Sequence, residues 1–152
     1  MKNKIITTHQ ITNTEQMLHL GAVLAKKCSG GSIIYLEGEL GAGKTTLVRG
    51  FVRALGYLGL VKSPTYTLIE SYELDSLHVY HMDLYRLTNP TELQAIGLSD
   101  YLTSHSICLI EWPEKAEKLL PKPNWRCTIE ILPHGQGRSV NIEEVSCEDQ
   151  KD

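Results

Sequence analysis

Residues Gly38-Glu-Leu-Gly-Ala-Gly-Lys-Thr-Thr46 hold the residue types best suited to chemistry in this chain. Positions 38–45 match the pattern G-x-x-x-x-G-K-[ST] in full. Glycines let the backbone fold so that successive N–H groups point inward, and a side chain there would block whatever approaches them. Such a ring of donors suits phosphate oxygens. A helix beginning near Gly43 adds the positive end of its dipole. Lys44 brings a cation able to reach the β- and γ-phosphates, and the Thr45 hydroxyl can ligate Mg²⁺. The flanks agree with this use. Residues 32–37 read as a buried strand. From Lys44 to Leu55, the recurrence of Leu47, Val48, Phe51, Val52 and Leu55 predicts a helix, which Gly56 ends. The competing reading is a glycine-rich turn that fits the pattern by chance.

A triphosphate with Mg²⁺ needs a carboxylate near the metal, at the end of a neighbouring strand. Two stretches end in acid: His-Val-Tyr-His-Met-Asp83 and Ile-Cys-Leu-Ile-Glu111. Glu111 is the better metal ligand, because its apolar run belongs beside the phosphate strand in the sheet centre. Asp83, expected on a half-exposed strand, could orient an attacking water. The bland alternative for each is a solvated acid at a strand end. His78 and His81 also invite a metal reading. Alternation puts His81 and Asp83 on one face and His78 on the other, which argues against a site built from all three and leaves His81 to orient Asp83. Thr65, in Ser63-Pro-Thr-Tyr-Thr67, could contact the γ-phosphate or Mg²⁺ as switch threonines do; a plain strand start is its alternative.

The elements that must position these groups can be read along the chain. Residues 1–13 suggest one strand. Residues 14–28 predict a helix with Met17, Leu20, Leu24 and Cys28 on one stripe, Thr14 as its cap and Gly30-Gly31 as its stop. Tyr66–Leu74 and Leu77–Tyr85 predict a hairpin turning at Asp75-Ser76. Asn89-Pro-Thr-Glu92 signals a helix start, with Asn as cap, Pro first and Glu reaching back. Ser106–Glu111 reads as a strand covered on both faces, and Pro113 opens a short helix to Leu120. Arg126–Leu132 and Ser139–Val145 form a second hairpin around Gly135-Gln-Gly137. Together these imply an α/β sandwich with a mixed sheet, one domain over residues 1–145 and a disordered tail over 146–152.

At 152 residues, with 41% hydrophobic and 22% charged residues, the chain can bury an ordinary core without staples. Its four cysteines, Cys28, Cys108, Cys127 and Cys147, lack the spacing of a zinc site or disulfide framework. With no membrane-spanning run and no signal-like start, a cytosolic protein is expected. The net charge of −3, with lysines and arginines scattered, excludes a basic nucleic-acid-gripping face.

Four stretches, G-E-L-G-A-G-K-T-T, V-K-S-P-T-Y-T-L, V-Y-H-M-D-L-Y-R-L and C-L-I-E-W-P-E, occur in the order seen in one family. The chain resembles the bacterial TsaE (YjeE) ATPases over most of its length, less so after Pro121. The resemblance implies a P-loop NTPase-like three-layer sandwich with a mixed central sheet, which binds and hydrolyses ATP with Mg²⁺. It implies TsaB and TsaD as partners in forming threonylcarbamoyladenosine beside the tRNA anticodon, with the transfer chemistry on TsaD and tRNA met only through the complex. By motif, Thr45 and Glu111 hold Mg²⁺. Lys44 and the loop from Glu39, Leu40, Gly41, Ala42 and Gly43 to Thr46 hold the phosphates. Asp83 assists hydrolysis and Thr65 lies in a switch. Thr14 and Arg138 fall where the family contacts the nucleotide, and Trp112 serves packing or a partner. A small-molecule kinase would need an acceptor pocket and an arginine-bearing lid, which the sequence does not offer. A GTPase would need an N-K-x-D-like stretch. A non-catalytic ATP-dependent adaptor stays open.

Overall fold

The computed structural model describes residues 5–145. The chain runs through strand β1 (Ile5–Ile11), helix α1 (Thr14–Lys26), strand β2 (Ile33–Glu37) and helix α2 (Lys44–Ala54). It continues through the hairpin of β3 (Ile69–Glu73) and β4 (His78–Asp83), helix α3 (Thr91–Ala95) and strand β5 (Ser106–Glu111). A second hairpin, β6 (Trp125–Ile131) and β7 (Arg138–Glu144), closes the described chain. All strands join one sheet in the order β1-β7-β6-β2-β5-β4-β3. The strands β6, β2, β5 and β4 are parallel, while β7 with β1 and β3 add antiparallel edges.

Hydrophobic patterning dictates this arrangement. Every residue of β5 is buried, so β5 needs cover on both faces and lies inside the sheet beside β2. On one face Ile34, Leu36, Ile107, Leu109, Cys127 and Ile129 pack against Leu20, Leu24, Leu47 and Phe51 of α1 and α2. On the other, Tyr35, Met82, Cys108 and Ile110 pack against Leu93 of α3 and against Leu84, Leu98, Ala116 and Leu120 from the connecting segments. The result is three layers around a mixed sheet. The second outer layer stops short of β6, whose Thr128 and Glu130 face solvent.

The helices α1 and α2 meet through glycine. A Cβ on Gly21 would lie 2.1 Å from the Leu47 carbonyl oxygen, and one on Gly50 would lie 2.0 Å from that of Leu18. Only residues without a side chain allow backbones this close. The contact anchors α2, whose first residue is Lys44.

Several expectations are corrected. Asn13, not Thr14, caps α1: its side chain accepts from the Gln16 N–H at 2.8 Å, while Thr14 is already helical. The strand expected from Tyr66 begins at Ile69, because the Leu68 N–H bonds back to the Pro64 carbonyl and closes a turn. Helix α3 begins at Thr91; Asn89 accepts from the Thr91 N–H, but Glu92 reaches the Thr88 hydroxyl rather than the Asn89 N–H. The helix expected from Pro113 to Leu120 is one 3-10 turn over Pro113–Ala116, after which Leu119 and Leu120 bond to the Ala116 carbonyl as separate turns. The expected tail over 146–152 lies outside the described residues, as does Cys147. Cys28, Cys108 and Cys127 are free thiols, each pushed up to about 12 chiefly by burial. Among the described residues no helix is long and apolar enough to cross a membrane.

Candidate nucleotide-binding site

The loop between β2 and α2 stands at the carboxyl ends of the parallel strands, where α/β sheets bind ligands. Its conformation depends on its glycines. Gly41 and Gly43 have φ of +81° and +112°, in the left-handed region. A Cβ on Gly38 would come within 2.9 Å of the Ile129 carbonyl oxygen. Around a Cβ on Gly41 there is open space. Glu39 and Leu40 lie exposed at the tip, Thr45 sits half-buried in the first turn of α2, and Thr46 faces a cleft described below.

Register brings the two acids together. Asp83 pairs with Glu111 across β4 and β5, and Leu36 of the phosphate strand pairs with Glu111 on the other side. Alternation turns both carboxylates toward the α1–α2 face, where α2 starts. The Lys44 ammonium lies 3.4 Å from Glu111 Oε1, donates to the Gly38 carbonyl and sits 4.9 Å from the Trp112 ring centroid. Lys44, Asp83 and Glu111 are 6%, 3% and 4% exposed. Buried charges persist only when paired or hydrogen-bonded: Glu111 pairs with Lys44, while Asp83 accepts from the Tyr85 N–H and the Thr65 hydroxyl. The expected half-exposed setting of Asp83 is therefore corrected. The turn over residues 64–68 covers it, and the Asp83 N–H donates to the Leu68 carbonyl at 2.9 Å.

Burial pushes the Asp83 carboxyl above its ordinary range. The Tyr85 N–H, donating to Oδ1 at 3.0 Å, pulls it down, as do the Lys44 and His81 charges; Glu111 pushes it further up. Thr65 sits in the covering turn with its hydroxyl 3.5 Å from Asp83 Oδ2, so it belongs to a turn rather than to a strand start.

The histidines separate as alternation requires. His78 stacks on Tyr80, while His81 lies on the acids' face, fully buried. His81 does not orient Asp83, however. Its Nε2 is 2.5 Å from Glu111 Oε2, on the neighbouring strand. An ionised carboxylate can only accept, so Nε2 carries the proton there. Its Nδ1 is buried without a partner. Among the described residues no three His, Cys, Asp or Glu side chains cluster as metal ligands. Trp112 adopts φ +56° between Glu111 and Pro113 and packs at 5.1 Å from Tyr85, a left-handed residue roofing the lysine.

On the other side of the loop lies a cleft of about 290 Å³. It is lined by Thr14 and Met17 of α1, by Gly41, Ala42, Gly43 and Thr46, and by Gly137 and Arg138. That is near the lower bound of ligand pockets, about 300 Å³. Thr14 and Arg138, far apart in sequence, thus meet beside the loop. The Arg138 guanidinium donates to the carbonyls of Ala42 and Gly41. Two pairings escaped the sequence reading, His81 with Glu111 and Arg138 with the loop. Both depend on strand neighbours that only the sheet order reveals.

The residues present fit Mg²⁺ and a polyphosphate. A glycine-built loop, a buried ammonium at a helix amino terminus and two adjacent carboxylates lie together, with Thr45 following the ammonium in the first turn of α2. Fold and loop together define a three-layer α/β domain with a mixed seven-stranded sheet and a G-x-x-x-x-G-K-[ST] loop at its carboxyl edge. Comparison with known proteins gives the family. The family described as "Threonylcarbamoyl adenosine biosynthesis protein TsaE" matches residues 11–140, a span holding every site residue named above. A Haemophilus influenzae protein named "tRNA threonylcarbamoyladenosine biosynthesis protein TsaE" is 54% identical over 90 residues, 59% of this chain and 57% of that relative's length. A Nostoc protein of the same name is 41% identical over 143 residues, covering 90% of this chain and 85% of the relative. The crystal structure of Bacillus subtilis YdiB superposes with a TM-score of 0.74 at 28% identity, covering 97% of this chain and 90% of that one. The chain belongs to the TsaE family.

Proposed function

We propose that the chain binds ATP with Mg²⁺ and hydrolyses it, as the ATPase subunit that works with TsaB and TsaD proteins to form threonylcarbamoyl on the tRNA adenosine beside the anticodon. The observation that carries the ATPase reading is the convergence of Lys44, Asp83 and Glu111 on the mouth of a glycine loop. The partners and the tRNA follow from family membership.

Each group has a task the geometry suits. The inward loop amides and Lys44 hold the β- and γ-phosphates, for which Lys44 exchanges its contacts with Gly38 and Glu111. Thr45 and Glu111 hold Mg²⁺, directly or through its waters. When bound, the ion neutralises phosphate charge. Asp83, in register with Glu111, orients a water for attack, and Thr65 beside it completes the switch. The cleft beside Thr14 and Met17 takes the nucleoside end. A net charge of −3 suits a cytoplasmic subunit that leaves tRNA to its partners.

Calorimetry with ATP and Mg²⁺ tests the reading. The wild type binds, and Lys44→Ala loses about a hundredfold or more in affinity while its circular dichroism shows the fold intact, since a phosphate-bound ammonium is worth upwards of about 3 kcal/mol. Equal affinity in the two proteins would remove the loop from the site. Turnover, measured alone and with a TsaB–TsaD pair, then separates an ATPase from a nucleotide-dependent adaptor, which binds without hydrolysis. Reconstituted tRNA modification that proceeds equally well without this chain would defeat the partner assignment.

A further inference from the structure

Arg138 opens strand β7, and its register partner is Ile11 at the end of β1. The preceding Gly137 makes this approach possible. It has φ +96°, and a Cβ there would lie 2.2 Å from the Ile11 carbonyl oxygen. From this fixed base the guanidinium reaches across to the phosphate loop. Nε donates to the Ala42 carbonyl at 2.9 Å, Nη2 to the Gly41 carbonyl at 3.2 Å, and Nη1 to its own neighbour's carbonyl, Gly137, at 3.2 Å.

In a trans peptide the C=O and the following N–H point in opposite directions. Turning the Gly41 and Ala42 carbonyls toward β7 therefore aims the Ala42 and Gly43 N–H groups away from it. The Ala42 N–H closes the loop by donating to the Glu39 carbonyl at 3.1 Å. Two successive peptide planes of a flexible glycine segment are thus set by one side chain. The planar fork of arginine spans two adjacent carbonyls, whereas a lysine ammonium cannot hold both in a fixed direction.

We propose that Arg138 is a positioning residue for the phosphate loop, acting through the Gly41 and Ala42 carbonyls rather than through the nucleoside. This rests on the reading that the loop holds a polyphosphate. It differs from a direct nucleotide contact, the role the family resemblance assigns to this position, and that difference can be measured.

The probes are Mg²⁺-ATP and inorganic tripolyphosphate, which has no base or ribose. They are titrated calorimetrically into the wild type, Arg138→Lys and Arg138→Gln. A loop left unclamped loses affinity for both probes by the same factor, about tenfold for the charged hydrogen bonds removed. A loss for ATP alone would overturn the proposal and make Arg138 a nucleoside contact. No loss for either probe would overturn it too. A second measurement needs no ligand. Amide exchange at Ala42, whose N–H donates within the loop, is faster in both variants, and an unchanged rate refutes the clamp. If the wild type binds neither probe, the ATPase reading falls while the exchange rate still decides the clamp. Arg138→Lys keeps the charge and most of the packing, so it carries both measurements if Arg138→Gln does not fold.

Discussion

Replacing His81 by alanine tests the buried centre of the site more sharply than replacing either acid. His81 is 0% exposed, and its Nε2 lies 2.5 Å from Glu111 Oε2. The carboxylate is 4% exposed and, among the described residues, keeps the Lys44 ammonium at 3.4 Å when the ring is gone. A hydrogen bond to a charged acceptor contributes about 1.5–3 kcal/mol. The cavity left by a ring in a closed core adds about 1–2 kcal/mol. The loss is then about 3–5 kcal/mol, within the range for breaking a buried charged pair. For a domain of this size each kcal/mol moves Tm by roughly 2–4 °C, so calorimetry on the ligand-free protein reads a fall of roughly 10 °C. His81→Gln, whose amide can still donate to Glu111, recovers part of it. In the same proteins the Mg²⁺ concentration giving half-maximal turnover rises for His81→Ala, because the carboxylate is no longer held in place. A fall in Tm below about 2 °C would refute the claim that this pair is a buried, energetically coupled contact. A fall in Tm with unchanged Mg²⁺ dependence would leave His81 a packing residue only.

Asp83→Asn removes a carboxyl that burial holds above its ordinary range. The folded state then binds the proton more tightly than the unfolded one, so wild-type stability declines as pH rises from the usual aspartate range through the raised value. The variant lacks that decline, melts higher at neutral pH and hydrolyses ATP more slowly; parallel Tm-against-pH curves would contradict this. Gly50→Ala forces α1 and α2 apart, since its Cβ would lie 2.0 Å from the Leu18 carbonyl oxygen, and costs about 1–3 kcal/mol in denaturant unfolding. An unchanged midpoint would mean that the helices can separate freely. Thr65→Val keeps the shape of the covering turn, leaves stability within about 0.5 kcal/mol and lowers turnover with little effect on ATP affinity. Equal turnover would leave Thr65 as turn structure.

What the sequence made legible was local. The run Ile107 to Ile110 named a central strand, and β5 has the expected bounds because an unbroken apolar stretch has few other solutions. The glycine loop was equally plain, since its pattern states its own geometry. Turn chemistry was harder. The segment after Pro64 is rich in β-branched and aromatic residues and reads as strand, yet Leu68 at φ +72° turns it before Ile69. At α1, Asn13 and Thr14 are both competent caps, and their order along the chain does not decide between them. The burial of Asp83 and the pairing of His81 with Glu111 were hidden for another reason. Each depends on which strands are neighbours and in which register, and a parallel pair separated by α3 leaves no local trace of its register.

The close seat of Gly21 against Leu47 and of Gly50 against Leu18 has a mechanical meaning. Two helices touching backbone to backbone have no side-chain cushion to compress, so they travel as one body. The front of that body carries Lys44, and Met17 of its other helix lies within 3.0 Å of a Cβ built on Gly43. The rear wall of the site is therefore stiff. On the proposed reading, any yielding on nucleotide entry falls to the opposite bank, where Thr65 lies in the turn that Leu68 closes at φ +72° and Trp112 stands at φ +56°.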